Sequence, residues 1–429
     1  MTIHTVQPGE TLSAIARRYQ TTPAQIIKDN DLMRPDTLVV GQDLVILIPE
    51  TTYTVQEGDT LSSIAEKFQM GIKQLYRNNY FLHGRPNISP GDVLTIQFTD
   101  RPTRQVIVNS YAYPYISEEL LDSQLPYLSY LTPFTYGISE TGTLLDLNDA
   151  QLIAAAKAHQ TKLLMHLSTL TEEDTFSNER ASIILSDNTL QNNLINEIIA
   201  MIQRKGYDGL DVDFEFIYPE EKYAYTAFLQ NLRLRLNPLG YPLYSALAPK
   251  TSDTQQGILY EGHDYAGIAA AVNYVLLMTY EWGYTYGPPM AVAPLNLVRQ
   301  VVLYALTRIT SDKILLGIPT YGYDWKLPFV RGESRAESIS PVEAVNRAQK
   351  YHAEIHFDPT AQSPWFKYAD ENGALHEVWF ENARSIRAKL NLVSEFDLMG
   401  VGYWNSMRDF PENWAVLNST FLINDNPTI

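Results

Sequence analysis

A chain of 429 residues is long for one domain and implies two or three, and its 45% hydrophobic and 11% aromatic content suits a large core and ring-lined surfaces. A formal net charge of −17 argues against nucleic acid or an anionic membrane as partner, since both need a basic face. The absence of cysteine excludes disulfides and thiolate chemistry.

The start, Met1 to Pro8, lacks the basic end and apolar centre of a secretory signal, and no apolar run is long enough to span a bilayer, so a soluble chain without ordinary export is expected. The first hundred residues contain a repeat. The run VQPGETLSAIA at Val6–Ala16 returns as VQEGDTLSSIA at Val55–Ala65, and VGQDL at Val40–Leu44 returns as PGDVL at Pro90–Leu94. Each unit reads as a short strand, a turn at Gly9 or Gly58, two helices and a closing strand. Thr11 and Thr60 stand where they can cap the first helix, with Leu12, Ile15 and Ala16 at helical spacing behind Thr11. Asn30 and Asn79 fall where the second helix should end.

This pattern resembles the LysM module over both units, residues 1–49 and 52–98. The resemblance implies two small α+β modules that bind N-acetylglucosamine-containing glycans such as peptidoglycan and chitin. It places the glycan contacts at Gly9, Glu10, Thr11 and Asn30 in the first unit and at Gly58, Asp59, Thr60 and Asn79 in the second. The second unit departs from the first in the loop His83–Asn87. Two packing modules without a ligand remain the alternative. Thr99–Arg104 is polar, contains Pro102 and reads as a short, stiff linker.

From about residue 106 the pattern alternates between strands and helices. Candidate strands are Val106–Tyr113, Leu128–Tyr136, Lys162–Ser168, Gly209–Glu215, Leu243–Ala248, Tyr274–Tyr280, Ile314–Tyr321 and Met399–Trp404. Leu190, Leu194, Ile198 and Ile202 recur every fourth residue, and Gly206 ends that helix. Pro219 opens the next one, and another spans Leu295 to Leu306. Eight such units in roughly 320 residues predict an α/β fold, a (β/α)8 TIM barrel over 106–424. A doubly wound sheet is the alternative, but no Gly-rich dinucleotide turn follows the first strand. Between the seventh and eighth strands, about 324–384, lies a segment too long for a loop. Its aromatic, strand-like pattern predicts a small α+β insertion walling a cleft.

The chain is organised around Tyr207–Glu215. Asp211, Asp213 and Glu215 alternate with Leu210, Val212 and Phe214, so the three acids should leave one face of a strand. Crowded carboxylates repel, which raises at least one pKa and keeps a proton available for a general acid. An edge strand with its acids in water is the bland alternative. In a barrel, functional side chains gather at the C-terminal strand ends, which brings Glu215, Tyr280 and Trp404 to one mouth.

Asp208-Gly209-Leu210-Asp211-Val212-Asp213-Phe214-Glu215 carries the DxxDxDxE signature and resembles glycoside hydrolase family 18, as do Met278-Thr279-Tyr280 and Trp404. Two LysM modules before the barrel, the run Gly317–Trp325 and the run His376–Glu381 are similar to the spore-cortex-lytic glycosidases of that family. His166-Leu167-Ser168-Thr169 lacks the SxGG of many chitinases, and Glu281 stands where they carry Asp.

The resemblance implies a retaining β-N-acetylglucosaminidase in which the substrate's own acetamide attacks. Glu215 would be acid and then base, Asp213 would orient the acetamide, Asp211 would share its proton, and Tyr280 would donate to the acetamide oxygen. Trp404, Met278 and Trp325 are the expected substrate-binding residues. The expected partner is peptidoglycan of the spore cortex, cleaved after N-acetylglucosamine, by a monomer needing no cofactor and no metal. Made in the mother cell, it would lie at the spore coat or cortex. A general chitinase and a non-catalytic glycan-binding coat protein are the alternatives. His352 and His356 are four apart, but their stretch lacks the zinc-protease order.

Overall fold

The computed structural model describes residues 1–428 except Glu172 and Asp174. In the first repeat, Thr2–Thr5 pairs antiparallel with Asp43–Ile46, and the helices Leu12–Arg18 and Pro23–Asn30 lie between them. The second repeats this with Pro49–Thr54 against Val93–Phe98 and helices Leu61–Lys67 and Ile72–Arg77. Thr11 and Thr60 cap their helices by accepting from the backbone N–H of Ala14 and Ser63.

Asn30 and Asn79 do something other than expected. Each is buried, and each ties the end of its helix to the closing strand. Asn30 donates to the carbonyls of Ile26 and Val45 and accepts from Val45 N at 2.7 Å. Asn79 repeats this with Leu75, Thr95 and Thr95 N. With their amides spent inside the module, neither side chain is free to hold a glycan; both are structural. A helix-end carbonyl buried without a partner would be costly, which explains why the repeat keeps an asparagine there.

Among the described residues, eight parallel strands close the barrel: Gln105–Ala112, Tyr130–Pro133, Lys162–Ser168, Gly209–Asp213, Leu243–Leu247, Tyr274–Leu277, Ile314–Pro319 and Gly400–Trp404, the last pairing back onto the first. Period-two alternation sorts each strand between two cores. Leu210, Val212, Val106 and Val108 face the helices, whereas Ile107, Tyr111, Leu164, Tyr244, Leu276 and Leu315 fill the barrel's interior. The helix Asn188–Lys205 ends at Gly206, whose φ of 77° is the left-handed turn that releases the chain into the acidic strand.

The insertion is a five-stranded antiparallel sheet, beginning at Gly322–Lys326 and ending at Leu375–Trp379, with the helix Pro341–Lys350 packed on it. Ile339, Ala344, Phe366, Val378 and Phe380 form its core, and Val39 of the first repeat belongs to the same cluster. The repeats are thus docked rather than tethered. Asp43 pairs with Arg384 at 2.9 Å, and Ile355 N donates to Val40 O at 2.9 Å. No helix among the described residues is long and apolar enough to cross a membrane.

Candidate active site

The acidic strand ends at Asp213, so Asp211 and Asp213 project into the barrel while Glu215 follows two residues later on the rim. Asp213, Glu215, Tyr280, Met278 and Trp404 line one cavity of about 280 Å³. Tyr111, Tyr260, Glu281 and Trp282 complete its polar and aromatic walls. The expected convergence of three strand ends is therefore found.

Asp211 is buried and its Oδ2 accepts from Tyr111 OH at 2.6 Å. Burial pushes its pKa up to about 6, against the lowering effect of that hydrogen bond. Asp213 is raised well above the ordinary carboxylate value by burial and then by the charges of Glu215 and Asp211. Its Oδ1 is buried and accepts no hydrogen bond from the described residues. Glu215 is pushed up to about 7, chiefly by burial and then by the charge of Glu281. Near neutral pH it therefore holds a proton for a substantial share of the time.

No lysine or arginine lines this cavity among the described residues. His166 lies beside the acids, with Nε2 3.7 Å from Asp213 and Nδ1 2.6 Å from Thr135 Oγ1. Burial pushes its pKa down to about 3, so it stays neutral and does not discharge the acids. A site without a compensating cation keeps its protons and suits a cationic intermediate.

Tyr280 follows the sixth strand. Its hydroxyl is raised well above its ordinary value by burial and by Asp213 and Glu215, so it remains a donor. Gly317 on the neighbouring strand makes room for the ring: a Cβ there would stand 2.9 Å from Tyr280 and 2.2 Å from the Leu277 carbonyl. Trp404 packs its indole against Phe134 and Tyr111, at centroid distances of 4.9 and 5.5 Å, and turns its remaining face to the cavity.

Trp325 is not at the sugar site. It is 1% exposed, packed with Tyr321, Tyr323 and Val292, and its Nε1 donates to Gly287 O at 2.8 Å. On the first insertion strand its side chain faces the 281–292 loop, so it holds the loop that carries Trp282 instead of touching substrate. Glu281, marked in the sequence only as a departure, lines the cavity, with φ of 66° and its carboxylate accepting from Tyr321 and from Tyr323 at 3.0 Å. Tyr111 could have been read from the inward alternation of the first strand. Tyr260 and Trp282 lie on loops and left no periodic signal.

In the repeats, Gly9 and Gly58 occupy exposed turns at φ of 78° and 86°. Glu10 is engaged by His4 at 2.7 Å and Arg18 at 2.8 Å, and Asp59 accepts from Tyr53 OH at 2.8 Å.

Residues 112–409 match the family Glycosyl hydrolases family 18, and residues 4–47 and 53–97 match the LysM domain. The chain is 43% identical to the cortical fragment-lytic enzyme of Bacillus subtilis (strain 168), with 98% of each covered. It is 35% identical to the putative sporulation-specific glycosylase YdhD of the same organism, with 99% of each covered. The crystal structure of the Bacillus cereus spore cortex-lytic enzyme SleL matches with a TM-score of 0.84 at 38% identity, covering 99% of this chain and 98% of that one.

Proposed function

This chain belongs to glycosyl hydrolase family 18, and we propose that it is a retaining β-N-acetylglucosaminidase that cleaves spore-cortex peptidoglycan fragments during germination. The observation that carries this reading is a protonatable Glu215 beside a buried Asp213, with Tyr280 and Trp404, in one cavity that no lysine or arginine among the described residues lines.

Glu215 gives its proton to the glycosidic oxygen as the bond from C1 to that oxygen breaks. The acetamide oxygen of the same sugar forms the new bond to C1, giving an oxazolinium ion. Asp213 orients the acetamide N–H and balances the positive charge, and Asp211, held by Tyr111, sets the proton shared across the pair. Tyr280 donates to the acetamide oxygen, Trp404 floors the sugar, and Met278 packs beside it. Glu215, now a carboxylate, takes a proton from water, whose oxygen attacks C1 as the bond from C1 to the acetamide oxygen breaks, which regenerates the acetamide and restores the original configuration.

The sugar whose link is cut must carry a 2-acetamido group. A muramic δ-lactam has lost its acetyl and cannot supply the nucleophile, so cleavage falls after N-acetylglucosamine. Digesting isolated cortex and reducing the new ends gives N-acetylglucosaminitol on this reading; muramic-lactam ends would refute it. Chitin hydrolysis is the rival, and comparing fragment release from cortex and from chitin separates the two. We assign glycan capture to the repeat region, residues 1–98, which raises local substrate concentration for the barrel at 106–424. A spore-associated monomer, made in the mother cell and independent of membranes, fits this task.

A further inference from the structure

The two repeats expose the loop after their second helix very differently. Aligned on Asn30 and Asn79, Met33 corresponds to Leu82. Met33 is 80% exposed, whereas Leu82 is 7% exposed and joins the core of its own repeat, and Tyr80 beside it joins the core of the barrel. The second loop is closed by the barrel and by the first repeat. Tyr80 OH donates to Asp409 at 3.0 Å, and its ring lies 6.2 Å from that of Tyr127. The chain at Gly84 runs so close to the barrel that a Cβ would stand 2.0 Å from the Asp122 carbonyl oxygen. Lys28 of the first repeat sits 4.3 Å above the Phe81 ring.

The helix before this loop is fixed as firmly. Lys73 is buried and donates to Leu128 O at 3.0 Å, and Arg77 is buried and donates to Pro126 O at 2.6 Å. The matching positions in the first repeat, Ala24 and Lys28, are exposed and half-buried. These cations are satisfied by barrel carbonyls, the Thr161 hydroxyl and the nearby Asp425, so lifting the module away would leave those barrel groups without their partners.

We infer that the second repeat has exchanged ligand binding for docking, and that glycan capture by this protein falls to the first repeat alone. The inference rests on reading both repeats as modules that contact N-acetylglucosamine chains through their two loops. A sugar chain approaching the second repeat meets the exposed turn at Gly58 but finds the apolar tip of the other loop already covered. One chain therefore offers one capture site besides its catalytic cleft, held at a fixed position relative to the barrel.

Hydrogen exchange of the full chain, carrying Glu215→Gln and saturated with chitohexaose, tests this. Exchange should slow at the barrel mouth and over residues 9–12 and 31–34, with no change over 58–61 and 80–85. Slowing over the second repeat overturns the inference and leaves the capture reading standing. Slowing at the mouth alone sinks both. In the same background Met33→Asp, a change at an exposed side chain whose folding is checked by its melting temperature, should lower retention on insoluble chitin about tenfold or more. Unchanged retention also overturns the inference.

Discussion

Glu281 reaches the cavity at the residue where the chain turns out of the sixth strand, and its charge makes Glu215 harder to ionise. Glu215 must be protonated to act as acid, so kcat/KM should fall as pH rises through about 7. Replacing Glu281 with Gln removes that repulsion, lowers the pKa of Glu215 and moves the descending limb to lower pH. A pH–rate profile whose limb stays in place would show that the two groups are uncoupled. Glu215→Gln itself should reduce kcat by about 10²–10⁴-fold without altering the melting temperature. At this scale the alternation of Asp211, Asp213 and Glu215 was legible because period two fixes which face a side chain leaves by. Trp325 was not: a tryptophan near a cleft reads the same whether it meets sugar or, as here, the Gly287 carbonyl.

Secondary-structure elements were legible where a local rule governs them. Thr11, Thr60, Gly206 and Pro219 mark helix ends by chemistry that acts within a turn. Asn30 and Asn79 mark helix ends too, but their partners Val45 and Thr95 lie 15 and 16 residues away, and only the closed module reveals them. Asn79→Ala should leave the Leu75 and Thr95 groups unpaired and destabilise the second repeat by about 2–4 kcal/mol. Faster hydrogen exchange along Val93–Phe98 is the expected readout. Unaltered exchange would mean that the amide is dispensable there. The insertion's strand-like pattern also carried through, since its sheet is antiparallel and its strands alternate.

For the whole molecule, the repeats belong to the folding unit of the barrel. Lys73 and Arg77 enter the barrel's surface, Asp43 joins the first repeat to the helix Ala383–Glu395, and Val39 joins it to the insertion. Removing residues 1–98 should therefore lower the melting temperature of the remaining barrel by several degrees as well as weaken glycan retention. A truncated barrel melting at the temperature of the full chain would mean that the modules are only tethered.

The sequence by itself determined the barrel, the doubled module and the acid cluster, because each is written in short-range periodicity or in a contiguous motif. Tertiary structure alone decided which walls the acids meet, that no lysine or arginine among the described residues lines their cavity, and that the two similar repeats face unlike surroundings. Those outcomes depend on residues far apart in the chain arriving at one place, and desolvation and close packing act only after they arrive.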